Sequence, residues 1–371
     1  MKVAIDSGPL TGGHSYRGVG VSTKGLIESL LNCNTGKDIK IDAVDFGSSN
    51  LTGYDILHYT SFNPYFLNNP RLGSIKAKTV VHIHDLIPLI YQDQYQAGIK
   101  GLARYQYNKY LLQKADAIIT VSETSKKDII RFLSVDPEKV KVIYWACDES
   151  FRNISKHQDL TDLRNLYKLP QKYVLYVGDV NYNKNISTLI KACKIARIHL
   201  VIVGKQASNI DGLTETWKNL SGPRDLIRSV LGISHPELKH FKELSNLIKN
   251  NNVITVGYVP KGDLPGIYSL ASVYCQPSFY EGFGLPVLEA FSCETPVVIS
   301  KTQALTEISN GAALIADPNS PQDFADKILS LLNDSTQKLH LIRAGRSRAK
   351  EFSWEETAKK TIEVYKKVYG I

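Results

Sequence analysis

The sequence predicts an α/β protein built from two doubly wound domains in tandem, with ligands taken at the carboxyl ends of the strands. Two observations carry this. Short β-branched apolar runs alternate with amphipathic helical stretches along the whole chain. A break at Leu169-Pro170-Gln171-Lys172 then separates two such series. The first series reads as strands Lys2–Ile5, Asp55–Tyr59, Thr79–Ile83, Ala117–Val121 and Lys141–Ile143, with helices such as Val19–Leu31 and Ile99–Lys114 between them. The second reads as Tyr173–Val177, His199–Val203, Val253–Val256, Val273–Gln276, Val297–Ser300 and Ala313–Ala316. Near the end, Ser353 followed by Glu356 forms a capping box that opens a last helix. The expected division is an N-terminal domain over 1–169, a second domain over 170–352 and a final helix over 353–371. Open α/β sheets bind ligands outside the carboxyl ends of their strands, so the expected site is the cleft between two such domains.

Length and composition agree with a folded two-domain chain. It has 371 residues, 43% apolar and 22% charged, beyond what one core usually holds. The 45 basic and 36 acidic residues leave a net charge of +9. The excess is spread over both halves, with no basic tail or charge block. Such a field suits anionic small molecules or an anionic membrane surface, and no nucleic-acid motif accompanies it. The five cysteines are scattered and form no Cys-x-x-Cys pair, which argues against a disulfide framework and a zinc site. The N-terminal apolar run is too short for a signal peptide, and no stretch is long enough to span a bilayer. The expectation is a cytoplasmic chain, with peripheral contact to the inner face of the cell membrane open.

The most informative segment is Tyr280-Glu281-Gly282-Phe283-Gly284-Leu285-Pro286-Val287-Leu288-Glu289. A Gly-x-Gly turn runs into a helix opened by proline, which puts Glu281 in the loop and Glu289 one turn inside the helix. Backbone N–H groups at a helix start favour an anion. A carboxylate on each side of an anion site suits a ligand with a central diphosphate and hydroxyl-rich ends, the shape of a nucleotide sugar. A first-turn glutamate also answers the helix dipole without any ligand.

Other candidates lie where strands end. After the first strand come Gly8, Gly12-Gly13 and Arg17-Gly18-Val19-Gly20, glycines that let a backbone approach a phosphate or simply close a turn. Their spacing is not the dinucleotide fingerprint. Lys184 follows the strand Tyr173–Val177 as a candidate point charge for a diphosphate, with Lys205 a second. His82 and His84 share one side of their strand, and His84 lies nearer its carboxyl end, with Asp85 fixing its tautomer or capping the next helix. There is no Asp-x-Asp, so a carboxylate pair holding Mg²⁺ is not signalled; no cofactor or metal is expected. Tyrosines 91, 95, 105, 107 and 110 alternate with Lys100, Arg104, Lys109 and Lys114, a membrane or acceptor face, or a solvated helix with core tyrosines.

Together these segments resemble the retaining glycosyltransferases of the two-Rossmann GT-B fold, and within them glycosyltransferase family 4 of the bacterial surface-polysaccharide type. The resemblance rests on Glu281-x7-Glu289, the Gly-rich first loop, His84-Asp85, Val121-Ser122-Glu123, Val177-Gly178 with Lys184-Asn185, Thr295-Pro296-Val297-Val298 and Phe352-Ser353-Trp354. It covers nearly the whole chain. It implies an N-terminal acceptor domain, a C-terminal donor domain and a last helix crossing back onto the first. Glu281, with the backbone of Phe283, Gly284 and Leu285, would hold hydroxyls of the transferred sugar. Glu289 would accept from the ribose, Lys184 and the Gly18–Gly20 loop would face the diphosphate, and His84 would touch the sugar. Asp179 departs from the family, many of whose members carry arginine there; Lys205, Arg17 or another basic group would have to substitute.

The implied reaction is transfer of a hexose with retention, from a GDP-sugar such as GDP-mannose, to a glycan or lipid-linked glycan in cell-surface polysaccharide synthesis. A UDP-glucose-dependent transferase of the same fold, a non-catalytic nucleotide-sugar-binding subunit, and an epimerase or dinucleotide-dependent oxidoreductase are the other readings.

Overall fold

A computed structural model describes residues 1–11, 18–33, 39–67, 76–154, 157–218 and 235–371. Twelve strands form among them: β1 Lys2–Asp6, β2 Lys40–Val44, β3 Ile56–Tyr59, β4 Lys78–Ile83, β5 Ala117–Thr120, β6 Val140–Val142, β7 Tyr173–Val177, β8 His199–Val203, β9 Val253–Gly257, β10 Val273–Gln276, β11 Val297–Ser300 and β12 Leu314–Ala316. They build two parallel six-stranded sheets, ordered β2-β1-β3-β4-β5-β6 and β12-β11-β10-β7-β8-β9. Read from its far edge, the second is the 3-2-1-4-5-6 order of a doubly wound nucleotide-binding sheet. The fold class is GT-B, as the sequence predicts.

Eleven of the twelve strands are those expected, within a residue or two at their ends. The one missed is β2, Lys-Ile-Asp-Ala-Val, which lies at a sheet edge with none of its residues fully buried. A central strand such as β3 is buried throughout and reads as an apolar run; an edge strand half in water does not.

Packing divides the chain into two units: Met1–Gln92, Gln96–Ala146 and Phe352–Ile371, and then Asp93–Tyr95 with Cys147–Glu351. The segment 147–169, assigned from sequence to the first domain, thus belongs with the second. Its helix His157–Leu166 lies against the helix Leu264–Leu270, so closely that a Cβ on Gly266 would sit 2.3 Å from Leu163. Tyr167 donates to Asp263 at 2.6 Å. Leu169-Pro170 is therefore a turn into β7 within a unit.

In the first unit, alternate strand residues face opposite ways. Ala4, Leu57, Tyr59, Val81 and Ile83 meet Leu111, Leu112, Ile129 and Leu133 of the helices Ile99–Gln113 and Glu123–Leu133. Val3, Ile5, Ile56 and Val80 meet Leu26, Ile27 and Leu30 of the helix Gly18–Asn32, with Ala358, Ile362 and Tyr365 of the final helix Trp354–Tyr369. Ser353 caps that last helix, accepting from the Glu356 N–H at 3.1 Å. The two helices touch at Gly25, where an added Cβ would fall 2.4 Å from the Trp354 ring. In the second unit, β7, β8, β10 and β11 bury one face under Leu189, Ile190, Phe324 and Ile328 of the helices Ile186–Ala196 and Pro321–Asn333.

Candidate active site

The order of the second sheet places β7 beside β10, with the chain winding outward from each in opposite directions. Loops leaving the carboxyl ends of two such strands diverge and leave a crevice, the ligand position of doubly wound sheets. Lys184 is carried by the loop after β7 and Glu281 by the loop after β10. Asparagines join the two loops. The Asn183 carbonyl accepts from Phe279 N–H at 2.8 Å, and its side-chain amide donates to the Tyr280 carbonyl at 3.2 Å. Asn185, left-handed at φ 54°, closes the turn after Lys184 and donates to the carbonyls of Pro277 and Pro318 at 3.0 and 2.7 Å. Tyr95 returns into this unit and donates its hydroxyl to Asn183 at 2.7 Å.

Glu281 is the most heavily bonded carboxylate of this region. Lys184 Nζ lies 2.8 Å from both of its oxygens. Gln276 Nε2 and Ser278 Oγ donate to Oε1 at 2.7 and 2.6 Å. Tyr274 in turn donates to the side-chain amide oxygen of Gln276, and Ser300 donates to the backbone carbonyl of Ser278. Glu281 is buried, so this network does for it what water would do outside. The position of its oxygens is set by β10 and β11 rather than by a mobile side chain. Burial, with Glu281 and Asp179 nearby, holds the Tyr176 hydroxyl well above its ordinary range; it donates to the Asp179 carbonyl at 2.6 Å.

Beyond Glu281, the buried Phe283 and Gly284 lead into the helix Leu285–Ser292. Gly284 stands at φ 115°, and a Cβ there would come 2.7 Å from Leu305. Both terms demand glycine. Pro286 lies in the first turn, and Glu289 one turn in, as expected. Its carboxylate is buried and accepts from Tyr268 at 2.7 Å. Burial pushes it up to about 7, against the pull of the Tyr268 hydrogen bond and the Lys261 charge.

The other sequence candidates are distributed as follows. Lys205 opens the short helix Lys205–Ser208 after β8, in the same unit as Lys184, with its ammonium 5.0 Å from the Tyr258 ring centre. Gly18, Gly20 and His84 belong to the first unit. Gly18 is exposed at the start of its helix and Gly20 buried one position pair further on; Ser22 Oγ donates to the Gly18 carbonyl at 2.7 Å. Gly12, Gly13 and Arg17 lie outside the described residues. Asp85 caps the turn Ile87–Ile90, accepting from the Ile87 N–H at 3.1 Å. His84 follows β4 as predicted, with its ring 4.8 Å from those of His82 and Trp145.

The structure adds a third histidine to this row. His58 on β3 stacks parallel to His82 at 6.0 Å and binds the Tyr365 hydroxyl through Nδ1 at 2.6 Å. Burial pushes His58 down to about 3, His84 to about 4 and His82 well below its ordinary 6.5. All three are neutral at neutral pH. The unfolded chain binds protons on them below about 6.5 while the folded chain resists, so stability is complete above that value and falls as pH drops toward 4. His82→Phe should remove up to about 1.4 kcal/mol per pH unit of that slope. Urea titrations followed by tryptophan fluorescence between pH 7 and 4.5 measure it; an unchanged slope would refute the buried-neutral assignment.

Three residues of the Lys184–Glu281 network were not singled out in the sequence: Gln276, Ser278 and Asn183; Tyr95 was, but as part of a membrane or acceptor face or a solvated helix, not as a partner of Asn183. Gln276 alone left a signal, as an uncharged polar residue ending an otherwise apolar strand. Among the described residues no group of three His, Cys, Asp or Glu side chains is arranged to hold a metal ion, and no helix is long and apolar enough to cross a membrane.

Comparison with known proteins agrees with this architecture. Residues 162–348 match the model of the glycosyl transferases group 1 family, and residues 48–151 that of glycosyltransferase family 4. The chain belongs to the group 1 glycosyl transferase family. It is 32% identical over 259 residues, or 69% of its length, to the O-antigen chain mannosyltransferase B of Escherichia coli, and spans 61% of that relative. Among solved structures it superposes on sucrose-phosphate synthase from Thermosynechococcus elongatus with TM-score 0.73 and 20% identity, covering 100% of this chain and 99% of the other. Anabaena HepE, solved with UDP and glucose, gives TM-score 0.72 and 17% identity over 99% and 100% of the two chains.

Proposed function

We propose that this chain is a retaining glycosyltransferase that moves mannose or a related hexose from a GDP-sugar onto a glycan or lipid-linked glycan, at the inner face of a membrane, in cell-surface polysaccharide synthesis. The observation that carries this reading is the Glu281 carboxylate, aimed by Gln276, Ser278 and Lys184 at the strand-order reversal of the second sheet. The mannose assignment draws on the Escherichia coli relative.

In this reading Glu281 and the backbone of Phe283, Gly284 and Leu285 hold hydroxyls of the transferred sugar, and Glu289 accepts from the ribose. Lys184 bridges Glu281 to the diphosphate, stabilising the charge that develops as it leaves. Gly18, Gly20 and Lys205 add backbone and point-charge contacts, and His84 lines the sugar. A β-phosphate oxygen takes the acceptor proton on the face the leaving group vacates, which retains the anomeric configuration. Because Lys184 and helix starts neutralise the diphosphate, transfer is expected to persist in EDTA; loss restored by Mg²⁺ would count against this arrangement.

Thermal-shift screening against GDP, UDP and ADP tests the donor, since a bound nucleotide raises Tm by mass action. The expected result is a shift with GDP alone; a shift only with UDP would redirect the donor to a UDP-sugar. NMR of the product anomeric proton tests retention. If an ionised Glu289 accepts from the ribose, donor affinity should strengthen as pH rises through about 7 and become flat in Glu289→Gln. Identical titration curves for the two proteins would remove Glu289 from that role.

A further inference from the structure

Between β7 and the helix Ile186–Ala196 only the turn Tyr182–Lys184 is regular, so the backbone that carries Lys184 is held by side chains. The Gly178 N–H still reaches the Val203 carbonyl of β8 at 2.9 Å, and there the sheet ends. Two residues on, Val180 is fully buried, and its backbone N–H and carbonyl need partners within the protein. Both partners are side chains. The N–H donates to Gln206 Oε1 at 2.8 Å, and the carbonyl lies 2.8 Å from His240 Nε2. Gln206 stands next to Lys205 in the short helix after β8. His240 stands in the second turn of the helix Pro236–Lys249, which leads into β9.

A carbonyl can only accept, so Nε2 of His240 carries the proton. Burial holds this histidine below its ordinary 6.5, against the pull of the Val180 bond and of Glu243, which leaves it neutral at neutral pH. The same ring meets Tyr182 edge-on, with centres 5.9 Å apart and planes at 75°. Tyr182 in turn lies 5.4 Å from Phe279, whose N–H ties the loop after β10 to Asn183. One imidazole therefore fixes a carbonyl four residues before Lys184 and backs a ring two residues before it. A leucine would serve packing here, but it would leave a buried acceptor without a donor.

We propose that His240 is a positioning residue for Lys184: with Gln206 it fixes the Val180 peptide groups, and through Tyr182 it holds the turn that aims the ammonium at Glu281 and the donor diphosphate. The diphosphate half of this inference rests on the function proposed above; the holding of the turn does not. Glu281 is set by β10 and β11, so Lys184 meets both of its oxygens only while the turn stays in register with them. A loop released at Val180 spends part of its time in other arrangements. A donor then binds only the fraction in which Lys184 is in place, and its apparent Kd rises accordingly.

Two variants of the full chain test it. His240→Phe keeps a ring against Tyr182 and removes the donor, whereas His240→Gln keeps an N–H donor. The amides of Val180, Lys184 and Asn185 are hydrogen-bonded, so hydrogen exchange read by mass spectrometry reports on the loop. Exchange across 178–185 should be faster in His240→Phe, with protection restored in His240→Gln. Calorimetric titration with GDP and with UDP should show affinity about fivefold lower in His240→Phe, the worth of one hydrogen bond, and recovered in His240→Gln. In a Lys184→Met background His240→Phe should cause no further loss, because both changes act through one ammonium. Unchanged exchange, a fall in Tm with unchanged affinity, or a fivefold loss that persists in Lys184→Met overturns the inference. Binding of neither nucleotide by the unaltered protein overturns the transferase reading instead, and the exchange comparison then decides the holding role by itself.

Discussion

Glu281→Ala is expected to lower turnover by on the order of 10³ while the fold and nucleoside diphosphate binding survive. The expectation rests on how the carboxylate is held. Three side chains donate to it from β10, from the loop after it and from the loop after β7, so its oxygens are in place before a sugar arrives. Pre-positioned groups act on the transition state without reorganising at the moment of reaction. Truncation leaves Lys184 without its carboxylate partner, but that lysine retains some access to solvent and can be hydrated. Donor hydrolysis and transfer measured by nucleotide release, beside a GDP thermal shift, give the two readouts. Near-normal turnover would remove Glu281 from the reacting centre.

Lys184→Met should act on stability and binding together. It leaves the buried Glu281 with Gln276 and Ser278 alone, which costs about 1–3 kcal/mol for a buried group losing a charged partner. For a domain of this size, each kcal/mol lowers Tm by about 2–4 °C. Affinity for GDP should fall by about tenfold or more, the worth of one charge-assisted contact. Combining Lys184→Met with Glu281→Gln removes both charges, so the double variant should be less destabilised than the sum of the singles. A coupling energy indistinguishable from zero would mean that the ion pair contributes nothing to the folded state. Unchanged GDP affinity in Lys184→Met would detach this lysine from the diphosphate.

The two glutamates differ in what surrounds them, and the sequence hinted at only part of that. Spacing alone put Glu281 in a loop and Glu289 one turn into a helix, because a proline near a helix start and a glycine before it are local signals. Gln276 and Ser278, which aim Glu281, sit five and three residues before it, but nothing local indicates that their side chains converge. Tyr268 reaches Glu289 from another helix, across 21 residues of chain. The row of His58, His82 and His84 was half legible: His82 and His84 share a face by strand periodicity, whereas His58 joins them only because β3 pairs with β4.

What the sequence determined by itself is what short-range physics encodes. Apolar runs marked the buried strands, alternation with helices marked parallel sheets, and Ser353 with Glu356 marked the start of the last helix. The tertiary structure alone decided three things. It found β2 at an edge, where half-exposure erases the apolar signal. It moved residues 147–169 into the second unit, because Leu163 packs on Gly266 rather than on anything near it in sequence. And it paired Lys184 with Glu281, across 97 residues, because β7 and β10 lie side by side where the strand order reverses. Strand neighbours are chosen by the burial of whole faces, a quantity summed over the folded chain and written in no single segment of it.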